Sequence, residues 1–519
     1  MLNNVKDIMT TSRSFTFMIG DGGNYFTEDE YDVYLNNNVV MSTNKSINTL
    51  YNLMPDTKYN LCVKGTDSFN ISFRTESEFC TINVKDLGAY GDGIHDDTAF
   101  IQGAIMACPV NSRVLIPKGR YSINTIFLKS DISMEIEKDA LLIARSSIDE
   151  RVFFPGEIDT FDESDGKYQL GTWEGNPNPM FAGIICGIGV ENVNIYGEGT
   201  IDGGADFSNW WESPKTMKRA YRPRLLFLKD CKNIRCQGVM LTNSPSWTIH
   251  PYFSSQLLFC DMYVKNPSNS PNTDGLDPEC CDDVTIVGMH FSLGDDCIAI
   301  KSGKIYVGQK YKTPSNNIHI MNCLMENGHG AVTLGSEIAG GVTNILVEKC
   351  LFRNTDRGLR IKTRRGRGKQ CFLNNIMFKD IMMDNVLNPF TANMFYFCDP
   401  DGHEEYVQSP EYHPVDDRTP SLGILRFENI KAVDAHVSAA YFLGLPESKI
   451  EAIEMKNVDI SMAKNPQSGV PVMSDLVSSM SGCGIYARNV KRLVLENVKV
   501  TGQKNERIVT VDVDEVIDD

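Results

Sequence analysis

From Ile234 onward one pattern recurs and limits what the chain can fold into. Apolar residues fall at positions k, k+2, k+5 and k+7, with k at Ile234, Leu257, Val284, Ile318, Ile345, Ile376, Leu425, Ile453 and Leu493. Position k+4 holds Gly238, Asp261, Gly288, Asn322, Lys349, Asp380, Asn429, Asn457 and Asn497, so eight of nine copies carry Gly, Asn or Asp. Those residues tolerate a left-handed backbone. Each unit therefore reads as a short strand, a one-residue corner and a second short strand. Helical periodicity does not give this spacing, and Gly or Asn is unfavourable inside a helix. Units that each bury one apolar edge must stack, which predicts an all-β fold, a right-handed parallel β-helix with rungs about 4.8 Å apart. A tandem of β-sandwiches is the alternative.

The chain is long for one ordinary core, and 519 residues fit an elongated repeat better. Its first eighty residues differ from the rest. Short apolar-alternating runs such as "SFTFMI", "YDVYLN" and "YNLCVKG" are separated by turn residues, the pattern of a small β-sandwich. "LMPDTKYNLCVKG" resembles the Leu-x-Pro-x-Thr-x-Tyr signature of fibronectin type III domains, with Tyr59 at the tyrosine corner. The expected domains are 1–80, a fibronectin type III-like sandwich that serves as a spacer, and 81–519, the β-helix.

Charge narrows the partners. The formal net charge is −17, yet "RGLRIKTRRGRGK" (Arg357–Lys369) holds seven basic residues and no acidic one. So acidic a molecule repels phosphate overall, and the run lacks interleaved aromatics, so nucleic acid is not the expected partner. No window is apolar enough to span a membrane, and the N-terminus lacks the pattern of a signal peptide. The fifteen cysteines are odd in number and show no CxxC pair, which fits buried, reduced thiols. A cytoplasmic location is expected, or a secreted or periplasmic one if a leader has been removed.

Stacking also aligns polar residues. Asp295 and His329 both lie at k+11 of consecutive rungs and should be neighbours along the axis. Asp274 and Lys362 both lie at k+17, with Arg360 two residues before Lys362. Three carboxylates (Asp274, Asp295, Asp296), a histidine and the start of the basic run thus converge on one stripe. Each motif alone has a plainer reading: "SPNTDG" as a turn, "LGDDC" as half of a calcium site, "NGHGA" as a hairpin, "RGLRIK" as a solvated edge. On consecutive rungs they read as one site. Carboxylates this close cannot all ionise cheaply, and a protonated acid beside an ionised base is the equipment of glycoside hydrolysis. One rung spacing plus a lateral offset would give the ~6.5–9.5 Å separation of an inverting enzyme.

Four motifs, "NTDG" (Asn272–Gly275), "GDD" (Gly294–Asp296), "GHG" (Gly328–Gly330) and "RIK" (Arg360–Lys362), resemble in order and spacing those of the polygalacturonases, glycoside hydrolase family 28. "NVKDLGAYGDGIHDDTAFIQGAI" (Asn83–Ile105) resembles the N-terminal cap of the pectin-degrading β-helix proteins. The resemblance implies hydrolysis of α-1,4-galacturonosidic bonds in polygalacturonate or oligogalacturonides. It gives Asp295 as general acid, Asp274 and Asp296 as holders of the nucleophilic water, and His329 as the group tuning the acid. The expected substrate-binding set is Asn272, Lys301, Arg360, Lys362, Tyr396 and His250, with Arg360 and Lys362 gripping the galacturonate carboxylate. No metal or cofactor is expected. The sandwich and the polar segment 156–181 resemble exo-acting bacterial members, so exo action is expected. A pectate lyase on the same fold, a non-catalytic polysaccharide-binding β-helix, and a rhamnogalacturonan or xylogalacturonan hydrolase are the rivals.

Overall fold

A computed structural model describes residues 4–66, 68–160 and 166–519. The nine repeats form consecutive rungs of a right-handed parallel β-helix. Ile234 pairs in parallel with Leu257, Leu257 with Val284, Val284 with Ile318, and Ile318 with Ile345. The same register runs on through Ile376, Leu425, Ile453 and Leu493. Each of these nine side chains is at most 2% exposed. They stack inside one apolar core that extends from Val84 to Val500.

All nine corner residues have positive φ, between 49° and 76°. Lys349, the exception by residue type, adopts φ 52° like the others, so the rung geometry overrides its preference. Asn497 donates to Asn457 of the preceding rung at 2.9 Å and Asn457 to Asn429 at 3.1 Å, whereas the corner Asn322 donates to the Asn24 carbonyl of the N-terminal unit. A second left-handed column, not read from the sequence, lies at k−1. Asn233, Gln256, Asp283, Asn317, Asn344 and Asn375 have φ between 51° and 58°. Asn375 there donates to Asn344 at 2.8 Å.

The helical sheet opens at the strand Thr81–Asn83, which pairs with Ser112–Ile116. The helix Thr98–Ala107 buries Ile101, Ala104 and Ile105 against this end and closes the core. Ahead of it stand two antiparallel sheets. One has three strands (Asn4–Thr10, Phe15–Gly20, Ile47–Leu50) and the other four (Phe26–Leu35, Asn38–Lys45, Lys58–Lys64, Ser68–Arg74). They enclose a separate core of Phe15, Phe17, Val33, Leu61 and Val63. The Tyr59 hydroxyl accepts a 2.9 Å hydrogen bond from the Met54 N–H, five residues upstream, the bond of a tyrosine corner.

This N-terminal unit docks on the corner row. Met9 and Ile47 pack on Cys260 and Val287, while Lys45 and Thr49 both bond Asp261 at 2.8 Å. A Cβ at Gly238 would lie 1.9 Å from the Tyr51 hydroxyl, and one at Gly288 would lie 2.5 Å from Ile47 Cβ. At both glycine corners the N-terminal unit leaves no room for a Cβ, whereas at Asp261 it bonds the corner side chain. Among the described residues no helix is long and apolar enough to cross a membrane.

Candidate active site

The polar stripe lies on the sheet that stacks Leu226–Lys229, Ile249–Tyr252, Ile298–Ile300, Val332–Gly335, Arg357–Lys362 and Asn388–Asn393. Backbone bonds fix the stacking. The Gly275 N–H donates to the Asp296 carbonyl at 3.0 Å, so Asp274 and Asp296 sit on one row of adjacent rungs. The His329 N–H donates to the Asp295 carbonyl at 3.2 Å, and His329 Nδ1 is 3.4 Å from Asp295 Oδ1. The shared k+11 offset thus makes Asp295 and His329 neighbours. The shared k+17 offset does not put Asp274 and Lys362 on one row. Lys362 pairs with Gly335, beside Lys301, because the loops between repeats differ in length. Both nevertheless face the same cleft.

That cleft encloses about 370 Å³. Nine of the ten candidate residues line it: Asn272, Asp274, Asp295, Asp296, Lys301, His329, Arg360, Lys362 and Tyr396. His250 does not. It is fully buried behind the wall, where Nε2 is 2.9 Å from Glu279 Oε2 and Nδ1 accepts from Arg224 at 3.2 Å. Burial, then Arg224 and Lys301, hold its pKa well below the usual histidine value. The strand Ile249–Tyr252 points His250 away from solvent, so a substrate contact there is corrected to a structural one.

Arg360 and Lys362, two residues apart on one strand, project to the same side. They grip one carboxylate: Arg360 Nη1 is 3.1 Å from Asp296 Oδ1, and Lys362 Nζ is 2.8 Å from Oδ2. Burial opposes charge on Asp296, but Lys362 and Arg360 together hold it far below the ordinary carboxylate value. Asp274 has a longer ion pair with Lys301, at 3.7 Å, and feels Lys362 from farther off. Burial, reinforced by Asp295 and Asp296, raises it to about 7. For Asp295 burial also raises, yet the hydrogen bond and charge of His329 bring it below its usual value. His329 is raised in turn, chiefly by that bond. Of the trio, Asp274 is the carboxyl raised toward neutrality, while Asp295 is held below its usual value beside His329.

One oxygen of each of Asp274, Asp295 and Asp296 lies within 4.8 Å of the others. This is shorter than the separation expected from the sequence. Asp274 stacks directly on Asp296 without the lateral offset that the longer distance requires. Access grades the three: the side chains of Asp296, Asp274 and Asp295 are 1%, 6% and 20% exposed. A reacting sugar can touch Asp295 most freely.

Sequence reasoning missed several wall residues. Trp247 lines the cleft with Lys301 Nζ 4.2 Å from its ring centre. Glu337 lies 3.3 Å from Lys301, which outweighs burial and holds that carboxyl low. Its signal was an acid just past the strand that pairs with the Lys301 strand. Glu174, Lys304 and Asp399 also line the cleft, and Met473 reaches it from a distant loop. No repeat position marks them.

The rest of the basic run is paired with the protein's own carboxylates, three of its residues buried and Lys369 exposed. Arg364 pairs with Asp401 at 2.5 Å, Arg365 with Glu447 at 2.5 Å, Arg367 with Asp399 at 2.8 Å and Lys369 with Asp417 at 2.7 Å. Of the two roles open from the sequence, these four residues balance the protein's own acids.

Residues 110–476 match the family described as glycosyl hydrolases family 28, and residues 81–134 match "Rhamnogalacturonase A/epimerase, pectate lyase-like". A probable polygalacturonase of Vitis vinifera is 28% identical, over 77% of this chain and 78% of its own length. An endo-polygalacturonase of Pectobacterium carotovorum subsp. carotovorum is 27% identical, over 71% and 87%. The solved structure of the Yersinia enterocolitica family 28 exopolygalacturonase superposes with a TM-score of 0.70 at 17% identity, covering 98% of each chain, and so shares the fold including the N-terminal sheets. The family match spans well over half of the chain, and with the four motifs gathered in one cleft it identifies the protein as a glycoside hydrolase belonging to glycosyl hydrolases family 28.

Proposed function

We propose that the protein hydrolyses α-1,4-galacturonosidic bonds of polygalacturonate or oligogalacturonides from a chain end, with inversion. One observation carries the reading: a floor of Arg360, Lys362 and Lys301 adjoins the carboxylate trio in one cleft. Cations at that spot suit a sugar that is itself a carboxylate, which Arg grips bidentately. The substrates named for the relatives point the same way.

In this reading Asp295 gives its proton to the departing glycosidic oxygen, and Asp274 and Asp296 orient the water that attacks C1. Asp296 is a poor direct nucleophile, because both its oxygens are held in ion pairs and it is 1% exposed. That supports attack by water, hence inversion, despite the short separation. A bound uronate shares Arg360 and Lys362 and excludes water; both effects raise Asp295 and load it with its proton. His329 holds that proton beforehand. The raised Asp274 supports a second reading, with the acid and base roles exchanged. Exo action is supported by Glu174, Lys304 and Asp399, which add charged walls to the cleft from outside the repeat positions. A reducing compartment such as the cytoplasm is supported by fifteen free thiols, most of them buried.

An elimination mechanism would need a basic group free to take a proton, and Arg360 and Lys362 are tied to Asp296. Incubation with polygalacturonate tests the proposal. New reducing ends without the ultraviolet absorbance of an unsaturated product support it, and that absorbance overturns it.

A further inference from the structure

Part of the cleft lining is built by a two-residue turn. Trp173 and Asn176 exchange backbone bonds of 3.0 and 3.2 Å, and the residues between them, Glu174 and Gly175, have φ of 46° and 74°. The tip is wedged in place: the Gly175 carbonyl accepts from the Lys304 N–H at 2.8 Å, and a Cβ on Gly175 would lie 2.7 Å from that nitrogen. Behind it the Trp173 ring stacks on Tyr221 at 4.7 Å and 5°, and the buried Arg224 guanidinium lies 4.8 Å from Trp173 and 4.4 Å from Trp247. Trp247 is itself a cleft wall. The turn is therefore fixed to the floor, and it aims Glu174 into the cleft.

Glu174 is weakly paired there. Lys304 is 4.0 Å away, and that lysine lies closer to Asp399, at 3.1 Å. The floor cations draw a polyuronate in, whereas a carboxylate in the cleft lining, with Lys304 as its long ion-pair partner and the buried Arg222 and Arg224 behind it, does two things to it. It repels the carboxylate of any further galacturonate, and it accepts a hydrogen bond from a hydroxyl that is free only on a terminal sugar. We propose that Glu174 is a specificity-determining residue that recognises the terminal galacturonate of the chain, an assignment that rests on the end-acting hydrolase reading above.

The test compares wild type with Glu174→Gln and Glu174→Gly on oligogalacturonides of defined length and on polygalacturonate, with products sized from the first minutes. Gly is chosen because it accepts the left-handed φ without strain. Glu174→Gln keeps an acceptor and loses the repulsion, so it should hold KM near the wild-type value while releasing longer first products. Glu174→Gly loses both, and its KM should rise at least about tenfold, as for a lost hydrogen bond to a charged group, with kcat changed less. If the wild type acts from the chain end and both variants keep its product length and its KM, Glu174 only balances Lys304 and the proposal is overturned. If the wild type gives a ladder of oligomers from the outset, the end-acting reading falls, and the proposal falls with it.

Discussion

Lys362 Nζ lies 2.8 Å from Asp296 Oδ2, and this ion pair ties the substrate clamp to the catalytic trio. The carboxylate that would orient water is held ionised by the same cations that would grip the substrate. Lys362→Met should therefore act twice. It leaves Asp296 buried with Arg360 alone, destabilising the fold by on the order of 3 kcal/mol, and it weakens binding of oligogalacturonate. Denaturant melts and KM measured together check this. An unchanged midpoint would mean that the pair contributes nothing to the fold.

The acid is identified by leaving-group dependence. Asp295→Asn should lower turnover of oligogalacturonide at least about 10³-fold, and far less for an aryl galacturonide whose leaving group needs no proton. Asp274→Asn should damage both substrates alike. The opposite pattern would move the acid role to Asp274, the carboxyl raised to about 7.

That raised pKa has a stability signature. Between 3.8, the ordinary aspartate value, and about 7, folded Asp274 holds a proton that the unfolded chain has released. The folded state binds more protons in that window, so this contribution, full below 3.8, is lost as pH rises through 7. Asp274→Asn should flatten the fall in stability across the window, as read by urea midpoints from pH 4 to 8. An unaltered slope would show that Asp274 is not the proton's site.

Corner chemistry gives a prediction away from the cleft. Lys349 holds φ 52° where other corners carry Asn, so Lys349→Asn should stabilise by about 1 kcal/mol. Gly238→Asn puts the residue favoured at other corners against Tyr51 and should loosen the N-terminal unit, visible as faster proteolysis within residues 1–80. Equal behaviour of the two variants would contradict the docking explanation for glycine.

The rungs were legible because each repeats one physical demand, an apolar edge followed by a left-handed corner. Lys349 shows that the demand belongs to the position and not to the residue. Asp295 and His329 were legible as neighbours because both follow their strands at the same distance. Rows beyond the next loop were not, since loop length decides whether Lys362 faces Gly335 or Asp274, and residue counting does not measure a loop. His250 read as a ligand because its type suits one, while its burial against Glu279 is a tertiary fact. Glu174 and Trp247 come from non-repeating segments and have no periodic position to betray them.

The most direct test of the account is proton NMR of the first product released from polygalacturonate. It predicts a saturated galacturonate whose new reducing end appears first as the β anomer, before mutarotation, and no such product from Asp295→Asn. An α anomer would contradict inversion by water, and an unsaturated uronide would contradict hydrolysis itself.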